Sequence, residues 1–506
     1  MIERNDVSLY RAMTSGQLKP TMSKDLQPQL PQGDFSVLST LSQSLSFHSS
    51  PESFISSRIQ HAAVQRATQK EEQAEAQAGP PVVRARILGR NVAVVSSHRL
   101  CKDVLSAGSR DSQTTVTAAA EGETIGPTTF AAQPAYKELM ADFFPLPNIL
   151  LEDLPAHEEK RNSWNEHLES LPEDTAPVIR QIVAEHIGTW SHGYTIDLYD
   201  SMKDLSWHIL LALFLQLSPS DKQFGTVESL QETLLRGQFS LFPVSINTPL
   251  WRSSRSKGID ARRKLQALLK THFAAGNSGC PLLRKSRVEK EEIEANALLF
   301  TSSLAVKALA SLLTASILTI FLHPSEPSLA SRIQSEGSTN GQILLNSILL
   351  ETERLSPPVV GVMRRAQQDI ILASPEGHPP ILVPRGWDVW LYFVGAGRDK
   401  AAYTLPSKFL PERFISPTEE GPGFAFGAGA KTCLGRDITR QIVRTVAATM
   451  LEAGIGLEGE IKAEGVKGWL GWNDSAAVEA FAKDLKQLPC QRPKDPIWLR
   501  VHREHS

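Results

Sequence analysis

The sequence is poor in cysteine and has no excess of either charge. Its 506 residues include four cysteines, Cys101, Cys280, Cys433 and Cys490, and none of them form a C-x-x-C pair. This count and spacing exclude a disulfide scaffold and an ordinary zinc knuckle, and they indicate a reducing compartment. Lys and Arg number 53 against 55 Asp and Glu, so the formal net charge is −2. The balance gives no electrostatic indication of nucleic acid or an anionic membrane as a partner.

The N-terminal residues lack the apolar segment of a signal peptide. Residues Met1–Asp34 mix charges, proline and glutamine, which predicts a cytoplasmic protein and leaves association with a membrane surface open. Between Phe35 and Phe47, apolar residues recur at near-helical spacing among serines. Two interpretations follow, a helix lying on the surface or a serine-rich leader, and we favour the second. We therefore predict a flexible leader over residues 1–50 and a single domain over residues 51–506.

Helical patterns dominate the rest of the chain. Two short apolar runs, Val82–Leu88 and Val92–Ser96, flank a turn and predict a β-hairpin. Apolar residues at helical spacing predict helices over His157–Leu168, Val178–His186, Met202–Leu217, Val227–Leu235, Ala261–Phe273, Asn340–Leu355 and Leu434–Leu451. The fold class is therefore mainly α (α+β), with a small β-sheet region.

Ala297–Leu322 is the most apolar stretch and is long enough to span a membrane. Lys307 lies in its middle, where a charge costs about 2.5–3.5 kcal/mol on insertion scales, and hydroxyl residues dilute the rest. A buried central helix is the preferred interpretation.

The most informative segment for chemistry is Phe424–Gly435, which runs directly into a predicted helix. A phosphate-binding loop is the first alternative, but that template places alanine at both required glycines, Ala425 and Ala430. What remains is a glycine-permitted turn that presents Cys433 at a helix N-terminus, where the dipole lowers the pKa of a thiol. Such a sulfur suits metal ligation.

The pattern from Phe426 to Gly435 closely resembles F-x-x-G-x-[RH]-x-C-x-G, the haem-binding loop of the cytochrome P450 family. The resemblance implies that Cys433 is the axial ligand of a haem iron and that Phe426 covers its sulfur. Lys431 stands where the family usually has Arg or His, so it keeps a positive charge toward a haem propionate without a planar guanidinium.

Four further motifs follow the family's order. Glu351 and Arg354 form its E-x-x-R pair, and Pro411–Phe414 resembles P-E-R-F, so that Arg413 completes a structural Glu-Arg-Arg cluster. His157 and Arg161 match H-x-x-x-R, and Arg364 matches R-x-A-x-x-D. The resemblance implies that these last three side chains also bind the haem propionates.

The resemblance implies the cytochrome P450 fold, with haem b as the cofactor. It implies a haem-thiolate monooxygenase or oxidase that acts on a small lipophilic metabolite, similar to fungal members of secondary metabolism, with electrons from an NAD(P)H-linked reductase. Arg436, Arg440 and Arg444 form a basic stripe that could meet an acidic partner. The alternative is that one or two of them simply pair internally or lie in water.

The central helix departs from the family's A-G-x-[DE]-T motif. Counting back from His323-Pro324 places the motif over Leu304–Ala308, so Lys307 takes the acid position and Ala308 the alcohol position. Leu304, Ala305 and Ala308 are then predicted to lie over the haem. An error of one turn would instead bring one of four hydroxyl residues there: Thr301, Ser302, Ser303 or Ser311.

Without the acid and alcohol, oxygen activation needs another proton source, such as a substrate hydroxyl or a water chain. The missing pair keeps an alternative function open, a P450-fold isomerase, dehydratase or lyase that works without O2 and a reductase. A non-catalytic haem carrier or sensor is the binding-protein alternative, and a complete thiolate loop disfavours it.

Overall fold

The structure is a computed structural model, and its elements fall into two compact units. It describes residues 37–69, 82–87, 89–107, 116–119, 123–144, 146–168, 171–240, 245–248, 251–275, 288–373, 380–416, 420–473 and 478–503. The first unit comprises Met1–Ala135, Val360–Pro406 and Phe426–Thr432, and the second comprises Tyr136–Val359, Ser407–Ala425 and Cys433–Ser506. The single domain predicted over residues 51–506 stays a prediction.

The first unit is built on a mixed β-sheet. Its helices are α1 (Val37–Ser49), α2 (Pro51–Gln69), α3 (His98–Leu105) and α14 (Phe393–Ala396). Its strands are β1 (Val82–Ile87), β2 (Arg90–Val95), β3 (Val116–Ala118), β4 (Phe130–Ala131), β6 (Gly361–Ala366), β7 (Ile370–Leu372), β8 (Ile381–Val383) and β9 (Asp388–Tyr392). Five of them pair in the order β1-β2-β9-β6-β4, and β3-β7-β8 form a separate sheet. The predicted hairpin is β1–β2, and Gly89 turns it with a φ of 78° that favours glycine.

Helix α1 occupies part of the predicted leader. It packs against β1, and Leu38, Leu41 and Leu45 on its outer side are exposed. The structure therefore shows the helix that was the less favoured interpretation of this stretch. Serine lowers helix propensity only slightly, so packing of the inward apolar residues overrides it. Residues 1–36 of the predicted leader lie outside the described residues.

The second unit contains most of the helices. They are α5 (Ala156–Leu168), α6 (Leu171–Gly188), α7 (Leu198–Leu215), α8 (Lys222–Gln238), α9 (Ser254–Ala274), α10 (Lys290–Phe300), α11 (Ser303–Leu322), α12 (Leu329–Ser335), α13 (Gly337–Leu355), α15 (Arg436–Glu452), α16 (Glu464–Leu470) and α17 (Val478–Asp484). Helix α4 (Gln133–Met140) begins at the end of the first unit. The strands β5 (Thr195–Asp197), β10 (Ile455–Glu458) and β13 (Trp498–Arg503) form a sheet in the order β10-β13-β5, and β11 (Leu485–Lys486) pairs with β12 (Arg492–Pro493).

Helix α11 lies at the centre of this unit and contacts α7, α13 and α15. It is long and apolar enough to cross a membrane, and no other helix among the described residues is. However, 72% of that apolar stretch is buried, as in the core helix of a soluble protein. The apolar run does not form one helix, because α10 ends at Phe300 and Ser302 caps α11 by accepting a hydrogen bond from the N–H of Ala305 at 3.2 Å.

His323 ends α11 and makes the unit sensitive to acid. Its ring packs against Phe409 and Trp472 with centroids 5.1 and 5.8 Å apart. Burial lowers the pKa of His323 from an ordinary 6.5 to about 4. Its contribution to stability is therefore fully present above pH 6.5 and is lost as the pH falls toward 4.

We predict that His323→Gln reduces the loss of unfolding free energy between pH 7 and pH 5 by about 1 kcal/mol, since the uncharged amide needs no proton. Urea unfolding at the two pH values measures the difference. His61→Gln, at an exposed position of α2, is the matched control and should keep the pH dependence of the unmodified protein. An unchanged pH dependence in His323→Gln would contradict the assignment.

Candidate functional site

Cys433 lies three residues before the start of α15, in the second unit. Its carbonyl accepts a hydrogen bond from the N–H of Arg436 at 3.3 Å, which ties the residue to the first helical turn. The pKa of the Cys433 thiol lies above its ordinary value, because burial outweighs the hydrogen bond from the backbone of Gly435 and the charges of Arg161 and Arg436, which lower it. The lowering predicted from the helix N-terminus is thus outweighed by burial. Fixed positive charge and a helix N-terminus are what a thiolate ligand requires.

Helix α5 supplies Arg161 and, one turn earlier, His157. His157 is buried, and Arg161 donates from Nε to Oδ1 of Asn165 at 2.9 Å. Burial lowers the pKa of Arg161, and the nearby Cys433 raises it. The structure thus brings Arg161 into electrostatic contact with Cys433, 272 positions later in the sequence.

The surroundings of Cys433 in this unit fit a haem. Cys433 is exposed, so its side chain is accessible to a ligand. A Cβ atom added at Gly435 would lie 3.8 Å from the sulfur, in ordinary van der Waals contact. On α11, which packs against α15, Leu304, Ala305 and Ala308 are half-buried although most of the helix is fully buried. An accessible cysteine just before a helix, with positive charges nearby, suits a haem iron.

The remaining predicted haem contacts lie in the first unit. Phe426 and Lys431 are half-buried, and Lys431 ends a short 3₁₀ turn. Gly427 and Gly429 have φ values of 68° and 65°, and a Cβ at Gly429 would lie 2.2 Å from the carbonyl oxygen of Leu105. The two glycines are therefore required by the backbone of the loop.

Arg364, on β6, is also buried and donates to the carbonyl of Met363 at 2.9 Å. The roles of Phe426, Lys431 and Arg364 toward haem stay predictions.

The structure brings Glu351, Arg354 and Arg413 together. Arg354 donates to both carboxylate oxygens of Glu351 at 2.7 Å, and Arg413 Nε lies 3.0 and 3.1 Å from the same two atoms. All three side chains are at least 98% buried. The backbone N–H of Leu410 donates a further bond at 3.0 Å, and both arginines reach the carbonyl of Lys408. The buried charges of the cluster are thus satisfied by ion pairs and hydrogen bonds, which fix the end of α13.

Lys307 turns away from the face that carries Ala305 and Ala308. Its ammonium donates to Oε2 of Glu232 on α8 at 2.8 Å, and Ser303 donates to Oε1 at 2.7 Å. Burial raises the pKa of Glu232, but the hydrogen bonds from Lys307 and Ser303 outweigh it and leave that pKa below its usual value. The carboxylate therefore stays ionised and holds Lys307.

A one-turn error in the motif alignment would place one of four hydroxyl residues over the haem, and these four have different environments. Thr301 donates to the carbonyl of Ala297 at 2.8 Å, Ser302 caps α11 and Ser303 bonds Glu232. Ser311 is fully buried, and its hydroxyl has no partner among the residues that the structure describes. None of them lies on the half-buried stretch of α11, residues 304–308. The register with Lys307 and Ala308 at the motif positions stays a prediction.

The arginine stripe is largely used within the protein. Arg440 forms a 2.6 Å ion pair with buried Glu353, and Arg436 pairs with its neighbour Asp437. Arg444 donates to the amide oxygen of Asn346 at 2.9 Å. Internal pairing, one of the two alternatives for the stripe, thus applies to Arg440.

The other cysteines lie apart from this chemistry. Cys101 and Cys490 are buried, and burial raises the pKa of both thiols, to about 12 for Cys490. Both thiols are thus protonated at neutral pH, as in ordinary packing. Cys280 lies outside the described residues.

Sequence reasoning missed Glu232 and Glu353. Neither belongs to a motif, and their partners Lys307 and Arg440 lie 75 and 87 positions away. Glu353 carried one usable signal, because it sits inside the E-x-x-R helix between Glu351 and Arg354.

Comparison with known proteins assigns this geometry to a family. The Cytochrome P450 family profile matches residues 342–453. Cytochrome P450 85A1 of Brachypodium distachyon is 22% identical over 60% of this chain and 69% of its own length. Probable cytochrome P450 12d1 proximal, mitochondrial, of Drosophila melanogaster is 26% identical over 66% of each chain. Other curated relatives match this chain over shorter stretches, down to 18% of their own length.

The fold agrees with this assignment. The solved structure of retinoic acid bound cyanobacterial CYP120A1 aligns with a TM-score of 0.63 and 20% sequence identity, over 87% of this chain and 94% of that one. The family profile and the curated relatives support membership of the cytochrome P450 family, and the solved structure supports its fold. Membership makes it a haem-dependent oxidoreductase with haem b as its cofactor, from a family of haem-thiolate monooxygenases that generally use electron-transfer partners such as reductases. The predicted family, fold class and cofactor are thus confirmed.

We predict that Glu351→Gln prevents stable haem incorporation. The neutral amide leaves two buried guanidinium groups unpaired, which costs about 3–5 kcal/mol. The ratio of haem to protein absorbance and the urea midpoint measure the effect. Glu412→Gln is the control, because Glu412 pairs with Arg332 on the surface and is half exposed. A stable, fully haem-loaded Glu351→Gln protein would contradict a structural role.

Proposed function

We propose that this chain is a monooxygenase that inserts one atom of O2 into a small lipophilic secondary metabolite. The observation that carries the proposal is the Cys433 thiol, held at the start of α15 beside the charges of Arg161 and Arg436. A similarity to ferruginol synthase of Salvia pomifera, 30% identical over 113 residues, supports the secondary-metabolite class. That match covers 21% of this chain and 24% of the synthase.

The haem, when bound, supplies an iron that activates dioxygen. Cys433 would hold that iron through its sulfur, and Arg161 and Arg436 favour the thiolate form that ligation needs. We further propose that His157, Arg161, Arg364 and Lys431 bind the propionates, since charged donors satisfy carboxylates best.

The proton for oxygen activation has to come from elsewhere than residues 307 and 308. Ala308 has no hydroxyl, and the Lys307 ammonium is held by Glu232 at 2.8 Å on another side of α11. A substrate hydroxyl or a water chain beside Ala305 and Ala308 is the remaining source. This makes the substrate part of the proton path and ties turnover to its functional groups.

We also propose that electrons come from an NAD(P)H-linked reductase that docks near the exposed Arg444, and that the protein acts in the cytoplasm. Surface charge of this kind guides association more than it adds affinity. The low cysteine count supports a reducing compartment. The name of the Drosophila relative includes the word mitochondrial. Imaging of the tagged chain in cells therefore tests the cytoplasmic location separately from the activity.

We predict that Cys433→Ser abolishes the red-shifted band of the reduced, CO-bound protein, because the hydroxyl cannot replace a thiolate donor. The difference spectrum between the reduced protein with CO and the reduced protein without CO measures it. Cys101→Ser alters a buried cysteine outside the Cys433 loop and should retain the band. A Cys433→Ser protein that keeps the band would overturn the ligand assignment.

We predict that product formation from a lipophilic metabolite extract requires oxygen and electrons together. Mass spectrometry should show products gaining one oxygen atom, labelled when 18O2 is supplied, and no product under nitrogen or without NADPH and a reductase. Full turnover under nitrogen would overturn the monooxygenase and support the isomerase, dehydratase or lyase that the missing acid–alcohol pair left open.

A further inference from the structure

A polar cleft of about 450 Å³ opens in the second unit, on the side of α11 that carries Lys307. Its walls come from the start of α7, from α8, from α11 and from the C-terminal segment that contains β11 and β12. Six lysine and arginine side chains and five acidic ones line it. A charged cleft of this volume can take a small polar ligand.

Three of the five acids are already satisfied by the protein. Asp200 pairs with Lys203 at 2.9 Å, and Glu232 accepts bonds from Lys307 and Ser303. Asp197 caps α7 by accepting from the N–H of Tyr199 at 3.2 Å. The same ion pairs occupy Lys203 and Lys307, two of the six cations.

Four cations remain: Arg236, Lys486, Arg492 and Lys494. In the described part of the chain none of the four forms an ion pair, whereas only Glu228 and Asp495 remain as uncommitted acids. Burial raises the pKa of Glu228, and the neighbouring Asp204 raises it further. The uncommitted groups of the cleft are thus predominantly cationic.

Two of the residues that line the cleft, Arg492 and Tyr199, carry hydrogen-bond donors. Nη1 of Arg492 donates to the carbonyls of Leu488 and Cys490 at 3.2 and 3.1 Å, which orients the rest of the guanidinium. The hydroxyl of Tyr199 is buried and has no hydrogen-bond partner among the described residues. Burial raises its pKa, so the phenol stays protonated and can donate.

We propose that this cleft binds a small oxyanion, a carboxylate or a phosphate group, with Arg492 and Tyr199 as its donors. An oriented guanidinium matches two oxygens of such a group, and a phenol donates to a third. Arg236, Lys486 and Lys494 raise the positive potential around it. The site lies on the opposite side of α11 from Ala305 and is separate from the proposed haem chemistry.

Calorimetric titration of the haem-loaded full chain tests the proposal, with inorganic phosphate and succinate as separate probes in low-salt HEPES buffer. We expect saturable binding of at least one probe, and the probe that binds more tightly identifies the class of ligand. Arg492→Gln should weaken binding about tenfold or more, and Tyr199→Phe about threefold, as the loss of a charged and a neutral donor requires. Lys462→Gln, at an exposed position outside the cleft, should bind as the unmodified protein does.

Absence of saturable binding by both probes would overturn the proposal, as would unchanged affinity in Arg492→Gln. If Arg492→Gln loses its native circular dichroism, the double variant Lys486→Gln/Lys494→Gln decides, because both lysines are exposed and their removal should weaken binding at least threefold. Unchanged affinity in that variant would equally overturn the site. Binding is measured without turnover, so its failure is distinct from failure of the monooxygenase proposal.

Discussion

The buried carboxylate of Glu351 fixes α13 against the loop that contains Leu410 and Arg413 in the second unit. It has no access to water, so its charge must be matched inside the protein, and Arg354, Arg413 and the N–H of Leu410 do so. Those donors come from α13 and from a loop about 60 positions later. The register between helix and loop is therefore fixed, since a shift of one residue would leave charge unpaired at a cost of about 3–5 kcal/mol.

Local patterns predicted most of the helices. The five predicted between residues 157 and 273 correspond to α5 to α9, and the segments before the E-x-x-R motif and after Cys433 correspond to α13 and α15. Apolar periodicity succeeds there because each helix buries one face. The break at Thr301 and Ser302 was not predicted, because the run contains no glycine or proline. Its one signal was Ser302 itself, a residue type that caps helices.

The candidate site was predictable where chemistry is local in sequence and not where it is distant. The turn around Cys433 and the spacing of Glu351 and Arg354 follow from a few neighbouring residues. The ion pairs of Lys307 with Glu232 and of Arg440 with Glu353 join positions 75 and 87 apart. Periodicity carries no information about such pairs, because any exposed acid on another helix would satisfy it equally well.

Lys307 shows how one distant pair reshapes the chemistry of a helix. A lysine in the centre of an apolar run would lose hydration, and only a carboxylate in reach offsets that loss. Glu232 provides it from α8, so the charge that replaces an acid is drawn toward the polar cleft. The face of α11 that carries Ala305 and Ala308 is left with small, unreactive side chains. The pair with Glu232 thus assigns the charge of Lys307 to one side of α11 and leaves the side with Ala305 uncharged.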